Sequence, residues 1–99
     1  MEEAVALVAL SALAQETRLR VFRLLVTAGP HGMPAGQIAE ELSVAPNTLS
    51  FHLNLLRNAG LIVVRREGRS LIYSAEYERI GGVLAYLSEN CCSRRPCRG

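Results

Sequence analysis

Ser43-Val44-Ala45-Pro46-Asn47-Thr48-Leu49-Ser50-Phe51-His52-Leu53-Asn54-Leu55-Leu56-Arg57-Asn58-Ala59-Gly60 is the stretch on which the fold turns. Pro46 suits the first turn of a helix, where its missing N–H costs nothing, and Gly60 supplies a left-handed stop just past the end. On a helical wheel Leu49, Leu53 and Leu56 line one side, with Ala59 and His52 at its edge. Asn47, Ser50, Phe51, Asn54 and Asn58 share the other. The pattern predicts a helix over 46–58 that buries leucines and presents short polar side chains.

Upstream, Ile38, Ala39 and Leu42 at helical spacing predict a short helix over 35–42, broken at Ser43-Val44-Ala45. Short helix, tight turn and longer helix make a helix-turn-helix. Downstream, 61–66 and 69–74 are two β-rich runs meeting at the turn pair Glu67-Gly68, a hairpin that forms a wing. The fold class is mainly α with a β-hairpin wing, a winged helix-turn-helix. Residues 16–28 predict an amphipathic helix, and Gly29 to Pro34 a loop.

The two ends of the chain point to a second subunit. Residues 3–14 are apolar on nearly all sides, and such a helix must be covered on more than one face. Over 76–89, Ile80, Val83, Leu84 and Leu87 make an apolar stripe, interrupted by Gly81-Gly82, which calls for close packing or a bend. A chain of 99 residues has enough length for one modest core and too little to cover both stripes. A homodimer through the first and last helices resolves this. Residues 1–90 then form the DNA-binding and dimerisation domain, and 91–99 a cysteine-containing tail.

The N-terminal apolar run is not read as a secretory leader, because Glu2 and Glu3 open it where a leader carries positive charge. It also falls short of the ~20 residues that span a bilayer. The expected location is the cytoplasm, with the cysteines as reduced thiols. No nucleophile–base–acid set or Gly-rich phosphate loop is present, and the thiols lack the Cys-x-x-Cys spacing of redox enzymes, so an enzyme is not expected.

All 11 basic residues are arginine. Arginine grips phosphates and guanine edges bidentately, although a GC-rich coding sequence produces the same bias. The candidate DNA contacts are Asn47, Thr48, Ser50, Phe51, His52 and Asn54 on the recognition helix, and Arg65, Arg66 and Arg69 on the wing. Asparagine can pair with adenine, Ser and Thr with bases or phosphates, and Phe51 can meet a thymine methyl. Alternatively Phe51 pairs with Leu55 against the protein, and His52 is an edge-of-core histidine. Strand alternation sends Arg65 and Arg66 to opposite faces, so at least one points outward.

Val44-Ala45-Pro46-Asn47-Thr48-Leu49-Ser50-Phe51-His52-Leu53, then Leu56, Ala59-Gly60-Leu61-Ile62 and the wing Arg66-Glu67-Gly68-Arg69, resemble the ArsR family of metal- and metalloid-responsive repressors. Ala14-Gln15-Glu16-Thr17-Arg18-Leu19-Arg20 is similar to that family's helix opening. The resemblance implies a homodimer bound to a palindromic operator in double-stranded DNA and released when a metal or metalloid binds. Two departures narrow the ligand. Where many members carry Glu-Leu-Cys-Val-Cys this chain has Glu41-Leu42-Ser43-Val44-Ala45, without sulfur. The last helix also lacks the Asp and His residues used by zinc-sensing members. Ala45 stands where a capping serine is common.

The cysteines Cys91, Cys92 and Cys97 lie within seven residues. Three thiolates without histidine or carboxylate favour a soft ion, and a pyramidal three-sulfur set suits As(III) or Sb(III) better than the usual four ligands of zinc. A trivalent organoarsenical would need only two thiols. A shared ion requires the chain to curl after Asn90. The cluster also resembles an atypical arsenite-binding subset of the family. The expected function is a repressor released when As(III), as inducer, binds these three cysteines. The alternatives are a thiol redox-sensing winged-helix regulator, a winged helix used for protein interaction, and a tail whose thiols do nothing.

Overall fold

The computed structural model describes residues 1–95. Five helices and a three-stranded antiparallel sheet follow in the order α1 (Glu3–Leu13), α2 (Glu16–Ala28), β1 (Met33–Pro34), α3 (Ala35–Leu42), α4 (Pro46–Asn58), β2 (Ile62–Glu67), β3 (Ser70–Ala75) and α5 (Tyr77–Ser88). The sheet order is β1-β3-β2. This is the winged helix-turn-helix expected from the pattern, with β2 and β3 as the wing.

Local chemistry sets each boundary. Ser43 adopts a left-handed φ of 54° after α3, and the Val44 N–H returns to the Ala39 carbonyl at 3.0 Å, closing the turn of the helix-turn-helix. Gly60, at φ 75°, ends α4 in the same way, with the Leu61 N–H bonded to the Leu56 carbonyl at 3.1 Å. Gln15 caps α2 by accepting a hydrogen bond from the Arg18 N–H. Ala45 gives α4 no side-chain cap.

The core joins all the elements. Val21, Leu25, Ile38, Leu49, Leu53, Leu56, Leu61, Ile62 and Val83 are almost wholly buried. From α1 the buried residues are the small ones, Ala6, Ala9 and Ala12, whereas Leu7, Val8 and Leu10 are exposed. On α5 only Val83 of the expected stripe is buried; Ile80 packs partly, and Leu84 and Leu87 face out. The Met1 methyl lies over Gly82, but it is the end of a flexible, exposed side chain that can move aside, and Gly81 has open space around it, so no close packing explains the pair.

Two local expectations change. Gly29 to Pro34 is not all loop: Met33 and Pro34 pair with Tyr73 and Ile72. Two residues are too few to leave a period-two signal, and Pro34 is tolerated because β1 is an edge strand. The hairpin register is also one residue later than expected. Glu67 pairs with Ser70, so Gly68-Arg69 form the turn. Gly68 has a φ of 61° at the first central position, a conformation that glycine alone takes without strain.

Candidate nucleic-acid interface

Helix α4 is held by its leucine side, and this leaves Asn47, Thr48, Ser50, Phe51 and Asn54 exposed. Phe51 is 60% exposed, so the reading in which it pairs with Leu55 against the protein does not hold. Leu55 instead faces α1 in a groove of about 480 Å³ lined by Leu7, Val8, Ser11, Ala12, Arg18, Asn58 and Ala59. The exposed face carries amides, hydroxyls and one aromatic ring, with no carboxylate to repel a phosphate backbone.

His52 does not belong to that face. It is 8% exposed, and its Nδ1 lies 3.2 Å from the Arg18 Nη1. Burial, and then the Arg18 charge, hold its pKa below the usual imidazole value, so the ring accepts from Arg18 in its neutral form. Of its two expected readings, the edge-of-core histidine is the one in place. The reason is angular: at 100° per residue, position 52 lies beside Leu49, Leu53 and Leu56.

Arg18 was not among the expected site residues, yet it joins three helices. Its backbone N–H is capped by Gln15, its Nε donates to the Ala12 carbonyl at 2.7 Å, and its Nη1 reaches His52. It thereby closes the C-terminal end of α1 and ties α1 to the recognition helix. The only sequence signal was an arginine among apolar neighbours in α2; a contact between residues 34 positions apart leaves no local trace.

The three wing arginines separate. Arg65 pairs with Ile72, on the face of the hairpin opposite Val64 and Tyr73, and each of its three guanidinium nitrogens is engaged. It donates to Glu67 Oε2 at 2.7 Å, to the Pro30 carbonyl at 3.2 Å and to the His31 carbonyl at 2.6 Å. Arg65 was expected among the DNA contacts; three of its five N–H donors are engaged within the protein, and its side chain remains partly exposed. Arg66, on the alternate face, and Arg69, in the turn, are exposed and make no ion pair among the described residues. They remain the wing's candidates for phosphate.

At the other end of the molecule the chain curls after α5. Asn90 and Cys92 have left-handed φ values of 59° and 61°, and the Ser93 N–H bonds the Asn90 carbonyl at 2.9 Å. The curl brings Cys91 Sγ and Cys92 Sγ to 3.5 Å, both at the surface. Cys92 is disulfide-bonded in the structure. Cys97, the third candidate ligand, lies outside the described residues. Among the described residues no group of three His, Cys, Asp or Glu side chains is placed to hold a metal ion, and no helix is long and apolar enough to cross a membrane.

Comparison with known proteins agrees with this geometry. The helix-turn-helix domain family matches residues 13–65. An uncharacterised HTH-type transcriptional regulator of Methanocaldococcus jannaschii, MJ1325, is 33% identical over 73 residues, covering 74% of this chain and 80% of the relative. The structure of an ArsR-like transcriptional regulator from Rhodococcus sp. RHA1 superposes with a TM-score of 0.77 at 27% identity, covering 86% of this chain and 77% of that one. A homodimeric winged helix-turn-helix DNA-binding domain from Mycobacterium bovis, a possible ArsR-family regulator, shares the fold at a TM-score of 0.71 and 21% identity, covering 97% and 89%. A polar, exposed recognition helix beside a basic wing is thus found in a chain that belongs to the helix-turn-helix domain family of DNA-binding transcriptional regulators and is similar in structure to an ArsR-like member.

Proposed function

We propose that this regulator is a homodimeric repressor that sits on a palindromic operator and leaves it when trivalent arsenic binds Cys91, Cys92 and Cys97. The observation that carries the DNA half of this reading is the α4 face, with Asn47, Thr48, Ser50, Phe51 and Asn54 all exposed and short enough for a major groove. Arg66 and Arg69 would add phosphate or minor-groove contacts from the wing. Two copies are needed to place two such helices about 34 Å apart on successive half-sites. The exposed Leu7, Val8 and Leu10 of α1 and Leu84 and Leu87 of α5 supply an apolar face for the second copy.

The ligand half rests on the adjacent sulfurs. Cys91 and Cys92 sit just beyond α5, close enough for one thiophilic ion to touch both once they are reduced. Sb(III) or a trivalent organoarsenical would suit the same donors. Ligand binding would order the tail, pull on the end of α5 and change the separation of the recognition helices. A coupling of about 1 to 3 kcal/mol is typical of such linkage, and each 1.4 kcal/mol is tenfold in affinity. The disulfide at Cys92 favours a second reading, in which oxidation of the same thiols is the signal.

The test is titration of reduced protein on a duplex selected from random DNA, with arsenite, antimonite, zinc and an oxidant added separately. Release by arsenite or antimonite, abolished in Cys91→Ser/Cys92→Ser/Cys97→Ser while operator binding persists, is the expected result. Release by oxidant alone would replace the metalloid reading with the redox one. Failure to select any duplex would overturn the repressor reading.

A further inference from the structure

We propose that Arg65 is a positioning residue that fixes the wing against the body of the protein, and that Glu67 holds it in place. The inference rests on the wing reading above, in which Arg66 and Arg69 meet the nucleic-acid backbone. A hairpin of two six-residue strands projecting from a small domain is free to sway at its tip unless something other than its own ladder restrains it. Arg65 is placed to do this. It belongs to β2, whereas the carbonyls it grips belong to Pro30 and His31, in the loop that leads into β1 at the opposite edge of the sheet.

The register shows how one side chain spans the sheet. Arg65 pairs with Ile72 of β3, and Ile72 pairs with Pro34 of β1, so the three are aligned across the strands. Adjacent strands are about 4.8 Å apart, and an arginine lying over the central strand reaches the far loop. Ile72 is buried, yet it stands apart from the main core cluster, on the same face as Arg65. Gly32 brings the loop down onto this face: at φ 70°, its backbone is so close to β3 that a Cβ would run into the Tyr73 carbonyl oxygen and Ile72 Cγ2. The His31 and Pro30 carbonyls are thereby presented to the guanidinium.

The planar fork of arginine matches this task. Two η nitrogens go to two successive carbonyls while Nε goes to a carboxylate, and a lysine ammonium cannot reproduce that geometry. Glu67, one residue before the turn, is otherwise hard to explain. A carboxylate at the tip of a DNA-facing hairpin repels phosphate, and its contact with the Arg65 Nε gives it a structural use.

The experiment measures duplex affinity of the full chain for Arg65→Ala, Arg65→Lys, Glu67→Gln and Arg66→Ala/Arg69→Ala, and for Arg65→Ala combined with the last pair. Folding of each is checked by circular dichroism. Arg65→Ala should weaken binding by about tenfold, the cost of re-ordering roughly one residue on association, and Arg65→Lys should not rescue it. Glu67→Gln should weaken binding as well, whereas removal of a merely repulsive charge would tighten it. On the Arg66→Ala/Arg69→Ala background Arg65→Ala should add less than about twofold, because a residue that acts through the wing loses its effect once the wing makes no contact. Full additivity, rescue by lysine, or tighter binding by Glu67→Gln would each overturn the proposal in favour of direct phosphate contact by Arg65. Unchanged affinity of Arg66→Ala/Arg69→Ala would overturn it by removing the wing reading on which it stands.

Discussion

Helices α1 and α4 are of similar length and both rich in leucine, yet they turn opposite residues inward. Helix α4 buries Leu49, Leu53 and Leu56 and shows small polar groups to solvent. Helix α1 buries Ala6, Ala9 and Ala12 and shows Leu7, Val8 and Leu10. Hydropathy alone would bury the leucines of both. The difference is one of separation: small side chains let α1 lie close to α2 and α4, while Leu7, Val8 and Leu10 stay uncovered among the described residues. An apolar face left outside by a helix that is otherwise well packed marks a partner surface more clearly than a generally hydrophobic helix does.

The largest expected effect separates the two helices by stability. Leu53→Ala should cost about 2–5 kcal/mol in denaturant unfolding, equally at all protein concentrations, because the cavity lies within one chain. Leu7→Ala, the same truncation on α1, should cost stability only at concentrations at which the dimer forms. Equal, concentration-independent losses would erase the distinction between the helices.

A second test concerns the other exposed apolar helix, α5, where Leu84 is 61% exposed. Leu84→Glu should leave the fold intact by circular dichroism but shift sedimentation to the monomer, lowering operator affinity through the loss of the second half-site. A persistent dimer would place the interface elsewhere.

The smallest effect is where α2 meets α4 beside the end of α1, at the contact of Arg18 with His52. The native pKa of His52 is depressed, by burial first and by Arg18 second. Its neutral ring therefore costs the fold nothing above the ordinary imidazole value of about 6.5. As pH falls below that value the unfolded chain takes up the proton first, so stability declines until the native ring is protonated too. Unfolding at pH 7.5 and 5.5 should show this loss in the wild type and a smaller one in His52→Asn. An equal loss in both proteins would remove His52 as its source.

Much of the architecture was legible because it is written in local periods. The leucine stripe of α4, the break at Ser43, the stop at Gly60 and the two β-rich runs each follow from backbone chemistry within a few residues, and all appear in the structure close to their expected positions. The short strand at Met33–Pro34 was not legible, because its pairing partner is in β3 and two residues carry no alternation. The hairpin turn was misplaced by one residue because Glu67-Gly68 and Gly68-Arg69 are both plausible turn pairs, and the conformation of Gly68 decides between them. Among the candidate contacts, those exposed on α4 followed from the wheel. His52 sits at the border of that wheel, where a few degrees decide between solvent and core.

The sequence by itself was enough to determine the class of fold, the helix with an exposed polar face and the clustering of three cysteines between positions 91 and 97, since these depend on spacing and residue type. Only the tertiary structure decided which basic residues are committed to the protein and which remain available. Arg65, Arg66 and Arg69 are alike in composition and close in sequence. Pairing across the sheet places Arg65 beside carbonyls 34 and 35 positions away, and the same alternation sends Arg66 to the other face. A hydrogen bond of that range depends on distance in space, which local periodicity does not encode.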